Sequence, residues 1–159
     1  MEARGEKWRE VVDMFIGEFE HNIDDKGRLI MPAKFREELG KEFVVTKGLD
    51  GCLFVYSLEE WSRIESKMQE TPMTSKESRK FMRFFFAGAA NLEVDRQGRI
   101  LLPLNLREHA GLKKEVVFAG VSTRIEIWSK DKWEDSSAYS EDEMDEIAED
   151  IEKLENWLL

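Results

Sequence analysis

Between Glu18 and Ile23 polar and apolar residues alternate, with Phe19, His21 and Ile23 set against Glu18, Glu20 and Asn22. A period of two marks a strand with one buried face. Asp24-Asp25-Lys26-Gly27 then reads as a turn in which Gly27 supplies a positive φ. Arg28 to Met31 is a second predicted strand. Pro32 sits at a first helical turn, Ala33 to Leu39 continue the helix, and Gly40 closes it. Phe43 to Lys47 and Cys52 to Tyr56 are further strands, joined by a turn with a glycine at each end, Gly48 to Gly51.

The same order then recurs. Asp24 through Gly40 aligns with Asp95 through Gly111 at an offset of 71, and seven of the seventeen positions are identical. With one inserted residue, Val44-Val45 matches Val116-Val117 and Gly48 matches Gly120. Leu53 to Tyr56 likewise matches Ile125 to Trp128, and Trp61 matches Trp133. A unit of some 45 residues rarely buries enough apolar surface to fold alone, so the two copies are expected to share one core. The predicted boundaries are an N-terminal extension at 1–13, a first module at 14–60, a helical spacer at 61–88, a second module at 89–133 and an acidic helix at 134–159.

Leu58 to Gln69 carries Trp61, Ile64 and Met68 at helical spacing. Pro72 breaks that helix, and Thr74 or Ser75 can cap another running to about Ala90. Its Phe81, Phe84 and Phe85 are expected in a core or a subunit interface. Lys76, Arg79, Lys80 and Arg83 share one helix face, which reads first as solvated surface and second as a phosphate contact. Near the C-terminus, Met144, Ile147, Ile151, Leu154 and Leu158 form one side of a helix, which should pack on the body or on a neighbour.

Net charge is −10, which argues against a nucleic-acid partner until its placement is considered. From Glu134 onward eleven acids face only Lys153, so this segment carries the whole excess. The remainder is neutral and can present one basic face, and local field matters more than the total. A lone cysteine, Cys52, excludes an intrachain disulfide and reads as a core residue. His21 and His109 form no ligand pattern, and no phosphate loop or nucleophile elbow is present, so no enzyme and no cofactor are expected. With neither a membrane-length apolar run nor a secretory stretch in residues 1–7, the expectation is a cytoplasmic protein with no membrane partner.

The loops concentrate the candidate chemistry. Lys26 and Arg28 in copy one, and Arg96 and Arg99 in copy two, offer cations, and arginine's planar fork suits phosphate or a guanine edge. Asp24 and Asp95 each precede the arginine by four residues, within salt-bridge reach across a tight turn. They either fix the turn alone or orient the arginine as well.

The pattern Asp-x-x-Gly-Arg-apolar-x-apolar-Pro, followed by a short helix with an arginine, resembles the SpoVT/AbrB swapped-hairpin module. Two copies with a helical spacer, and the opening Met14-Phe15-Ile16-Gly17-Glu18-Phe19, resemble the MraZ family specifically. The likeness spans roughly Met14 to Trp133 and leaves residues 1–13 outside. It implies an α+β, mainly β fold, in which two tandem modules form one shared β-barrel-like core with flanking helices. It also implies a nucleoid-associated transcriptional regulator of the division and cell-wall gene cluster. Such a protein binds double-stranded DNA at direct repeats in its own promoter and assembles into homo-oligomeric rings. In lone modules two chains interlock to bind DNA; here the two copies should supply that pair. Arg36 and Arg107 match the family's helix arginine, although Glu37 and Glu108 stand where many AbrB-like modules carry a second one. Lys34, with Asn105 as its counterpart, tilts the expected DNA contact toward copy one. The competing reading is a protein-interaction or antitoxin-type module, motivated by the acidic tail.

Overall fold

A computed structural model describes residues 14–151; the predicted extension at 1–13, together with Leu154 and Leu158, lies outside them. The first repeat runs β1 (Phe15–Asn22), β2 (Arg28–Ile30), α1 (Ala33–Leu39), β3 (Glu42–Lys47) and β4 (Leu53–Ser57). The spacer holds α2 (Leu58–Gln69) and α3 (Lys76–Met82). The second repeat runs β5 (Ala90–Glu93), β6 (Arg99–Leu101), α4 (Leu104–Ala110), β7 (Glu115–Ser122) and β8 (Arg124–Ser129). Two helices follow, α5 (Lys130–Ser137) and α6 (Glu141–Asp150).

Six strands form one antiparallel sheet in the order β1-β7-β8-β4-β3-β5, while β2 and β6 pair separately as a two-stranded ribbon. Among the described residues the expected barrel-like closure is not present: β1 and β5 end the sheet and do not pair with each other. The pairing does interlock the repeats. The first strand of each crosses to the third strand of the other, β1 to β7 and β5 to β3, and β4 pairs with β8 at the centre. Neither repeat completes its own sheet, which is how two units too small to fold alone come to share a core.

Both sheet faces are covered. Phe43, Val45, Leu53, Val55, Val116, Phe118, Ile125 and Ile127 join Leu29, Phe35, Ile100 and Leu106 in one buried cluster beneath the ribbon and helices α1 and α4. On the other face Phe54, Tyr56, Val117 and Trp128 meet Cys52 and Phe85, with Trp61, Phe81 and Phe84 packed around them. Of the spacer phenylalanines, Phe85 is core, and Phe81 and Phe84 are partly buried against it. Phe81 and Trp61 both stack on Phe85, with ring centroids 5.6 and 5.3 Å away. The Cys52 thiol is pushed up to about 12 by burial, so it stays protonated and inert at neutral pH.

Three local readings change. The repeat offset in β3 and β7 is 73, not 72. Phe43 pairs with Ser57 and Val45 with Val55, whereas Val116 pairs with Ser129 and Phe118 with Ile127. A one-residue slip exchanges the faces of a strand, and burial of Val116 and Phe118 in the first cluster fixes this choice. Second, α3 is capped by Ser75, whose Oγ accepts from Ser78 N at 3.0 Å, but it does not reach Ala90. A π-helical turn at Arg83–Ala87 ends it, and Ala90 starts β5, because pairing with β3 outweighs alanine's helix propensity. Third, α6 does not lie on the body. All ten of its residues are exposed, Met144 and Ile147 of its apolar side among them, as is Ile151 just beyond it.

Candidate nucleic-acid interface

Asp24 braces the first loop. Its Oδ1 accepts from the backbone N–H of Lys26 (3.0 Å) and of Arg28 (2.8 Å), and its Oδ2 accepts from Arg28 Nε at 2.6 Å. The second loop repeats this bond for bond. Asp95 Oδ1 takes Gln97 N (2.8 Å) and Arg99 N (2.9 Å), and Oδ2 takes Arg99 Nε at 2.9 Å. Asp24 and Asp95 are held below the usual carboxylate range, first because the arginine backbone N–H donates to the charged form. Each aspartate thus bonds both the backbone of its turn and the Nε of its arginine. The ion pair engages Nε of each arginine, and the side chains of Arg28 and Arg99 stay 38% and 31% exposed.

The ribbon sets the loops at opposite ends. Arg28 pairs with Leu101 and Ile30 with Arg99, so these four share the ribbon's outer face, while Leu29 and Ile100 point into the core. Ile30 and Leu101 are 42% and 58% exposed, which makes the outer face half cationic and half apolar. Met31 N donates to Gly98 O and Leu102 N to Gly27 O, both at 2.9 Å, which ties each loop to the other repeat's strand end. The loop glycines, about four residues apart along the ribbon, are therefore separated by ~13 Å.

Because the repeats interlock, the helix arginines change sides. Arg107 of the second repeat lies against Gly27 of the first loop, and Arg36 of the first repeat lies against Gly98 of the second. Both are half-buried, and Arg107 Nε donates to Leu102 O at 3.0 Å. Exposed Lys34 lies in the first turn of α1, three residues beyond Met31, whose N–H donates to Gly98 O. The tilt toward copy one counted Lys34 with Lys26, whereas the chain enters α1 from the strand end bonded to the second loop. Lys26 and Arg96 are exposed at their loop tips.

Sequence reasoning passed over Lys113 and Lys114, which line an open cleft of about 410 Å³ with Asn22, Ile23, Asp24 and Asp25 beside the first loop. Their signal is the extra length between Gly111 and β7, where the first repeat has only Lys41 between Gly40 and β3. The α3 stripe divides: Arg79 Nη1 donates to Met73 O (2.8 Å) and Thr74 O (3.1 Å), closing the turn between α2 and α3, while Lys76, Lys80 and Arg83 are exposed. His109 is structural, its Nε2 lying 3.0 Å from Gly48 O. Among the described residues no cluster of three or more His, Cys, Asp or Glu could hold a metal ion, and no helix is long and apolar enough to cross a membrane.

Two interlocked copies of a ββαββ unit, each presenting an acid-braced arginine loop, define a tandem swapped-hairpin protein. The family model described as "MraZ protein, putative antitoxin-like" matches twice, at residues 14–84 and 85–154, and the chain belongs to the MraZ family. It is 60% identical over 141 residues to the transcriptional regulator MraZ of Thermoanaerobacter sp. (strain X514), across 89% of this chain and 99% of that relative. The transcriptional regulator MraZ of Acetivibrio thermocellus is 58% identical, and that of Caldicellulosiruptor bescii 57%, over the same shares.

Proposed function

We propose that the chain is a DNA-binding transcription regulator whose β2–β6 ribbon and two flanking loops form the contact surface. The observation that carries this reading is the duplicated loop, in which one carboxylate spends three hydrogen bonds on aiming one arginine. A two-stranded ribbon fits the DNA major groove, about 12 Å wide. In that pose Arg28 and Arg99 meet guanine edges or phosphate, and Ile30 and Leu101 lie where thymine methyls would be. Lys26, Lys34 and Arg96 add phosphate contacts. The targets are direct repeats in the promoter of the division and cell-wall gene cluster, including the chain's own gene. A homo-oligomeric ring multiplies weak contacts into avidity for such repeats. Its setting is the cytoplasm, on the nucleoid.

The experiment is binding of wild type, Arg28→Ala and Arg99→Ala to a direct-repeat promoter fragment across a salt series, with light scattering on the same samples. Each substitution is expected to weaken binding by ~1–3 kcal/mol with the oligomer intact, and wild-type affinity should fall steeply with salt. Absence of wild-type binding at low salt would overturn the proposal. Recovery of a stoichiometric protein partner without nucleic acid would then install the antitoxin-type reading, which the acidic, unpacked α6 favours.

A further inference from the structure

We infer that Arg36 and Arg107 are positioning residues that act crosswise, each holding the DNA loop of the opposite repeat. This rests on the DNA-binding reading of the loops and concerns what keeps them in shape. Gly27 and Gly98 are both buried and both have positive φ, 88° and 78°. A Cβ on Gly27 would lie 2.7 Å from Arg107 Nε and 2.9 Å from its Cζ. At Gly98 a Cβ would run into Arg36 Nη1. Each guanidinium thus lies in the space that a side chain at the loop glycine would occupy, Arg107 through its Nε and Cζ and Arg36 through its far end.

Arg107 is further tied by its Nε bond to Leu102 O, and the N–H of the same Leu102 donates to Gly27 O. One peptide strand therefore carries both the arginine and the loop it covers. A residue fixed in this way is poorly placed to reach a phosphate. It supplies a wall for the loop, and a positive charge behind it. The consequence is that the second repeat's helix governs Arg28 and the first repeat's helix governs Arg99.

Two measurements on the full-length chain test this. Amide hydrogen exchange is followed at Lys26 and Arg28, and at Gln97 and Arg99, in Arg107→Ala, Arg107→Lys, Arg36→Ala and Arg36→Lys. Arg107 variants should speed exchange in the first loop only, and Arg36 variants in the second only. Promoter binding is then measured in double-mutant cycles. Arg107→Ala should weaken binding on the order of tenfold, be non-additive with Arg28→Ala and be additive with Arg99→Ala. Arg107→Lys should restore little, because an ammonium lacks the plane and the Nε–H.

A lysine variant with wild-type binding and unchanged exchange, or an effect that falls on the same repeat's loop, would overturn the inference. So would a unit drop in salt slope in Arg107→Ala with its first loop undisturbed, since that is the mark of a direct phosphate contact. Should Arg107→Ala fail to fold, Arg107→Lys, which keeps helix propensity and charge, decides alone. If the wild type binds no DNA, the functional reading falls while the exchange experiment still decides whether the holding is crosswise.

Discussion

The two loops share a backbone and differ in what surrounds it. Around the first stand Lys26, Arg28, Arg107, Lys113 and Lys114, with Asp25 opposing them beside the turn. Around the second stand Arg96, Arg99, Arg36 and Lys34, with no counterpart to Asp25. The first is also more tightly built: Arg107 is bonded to Leu102 O, and Leu102 O would lie 3.0 Å from a Cβ on Gly27. At Gly98 the nearest group is the far end of Arg36. Duplication kept the turn that aims the arginine, and divergence worked on the neighbours, which come from the other repeat.

The largest difference should appear in Gly27→Ala against Gly98→Ala. Both force a Cβ into positive φ, at ~1–3 kcal/mol each. At Gly98 the arginine's end can swing aside, whereas at Gly27 a tethered Nε and a backbone carbonyl cannot. Urea denaturation should therefore rank Gly27→Ala as the more destabilised. The reverse order, or equal losses, would mean that the Arg107 tether does not stiffen the first loop.

Much of this comparison was legible in the sequence. Asp24, Gly27 and Arg28, and their copies at 95, 98 and 99, lie within five residues of one another, and local turn chemistry closes them without help from the rest of the chain. The alternation in β1, the Leu58–Gln69 helix and the shared core are also readable from periodicity and size. What was hidden depends on long-range pairing. No local signal tells that Arg36 would sit by Gly98, since that follows from β2 running antiparallel to β6. The short strand β5 was masked by alanines, and the 73-residue offset by two adjacent valines that match equally well in either register. Sheet closure likewise depends on edges that no sequence period encodes.

Lys34 offers a test of that regrouping. In Lys34→Asn with Asn105→Lys the charge passes from the second loop's end to the first while composition stays constant. Promoter affinity should change little, by about one phosphate contact either way. The swap should instead move the DNA sequence preference, weakening contacts made by Arg99 and strengthening those made by Arg28. Alanine substitution at each arginine in the swapped background reads this out. If the swap leaves the Arg28→Ala and Arg99→Ala penalties as they were, Lys34 takes no part in the interface.

The smallest expected effect lies at a pair of equivalent sites in the large sheet. Glu42 stands opposite Glu93 in the β3–β5 pair, whereas the equivalent place in the β7–β1 pair sets Glu115 opposite Asn22. Glu115 is relieved further by Lys130 Nζ at 3.1 Å. The Glu93 side chain, sharing a hydrogen bond and repelling the second charge, holds the Glu42 carboxyl above its ordinary 4.5. A carboxyl raised in the folded state favours folding while protonated and loses that contribution as pH rises through its folded pKa. Like charges directly opposite on neighbouring strands then work against the sheet at neutral pH. Glu93→Asn, which copies the other repeat, should therefore raise Tm at pH 7, and the gain should shrink as pH falls and Glu42 takes up its proton. A gain of equal size at every pH would trace the effect to asparagine's own packing and leave the two edges electrostatically alike.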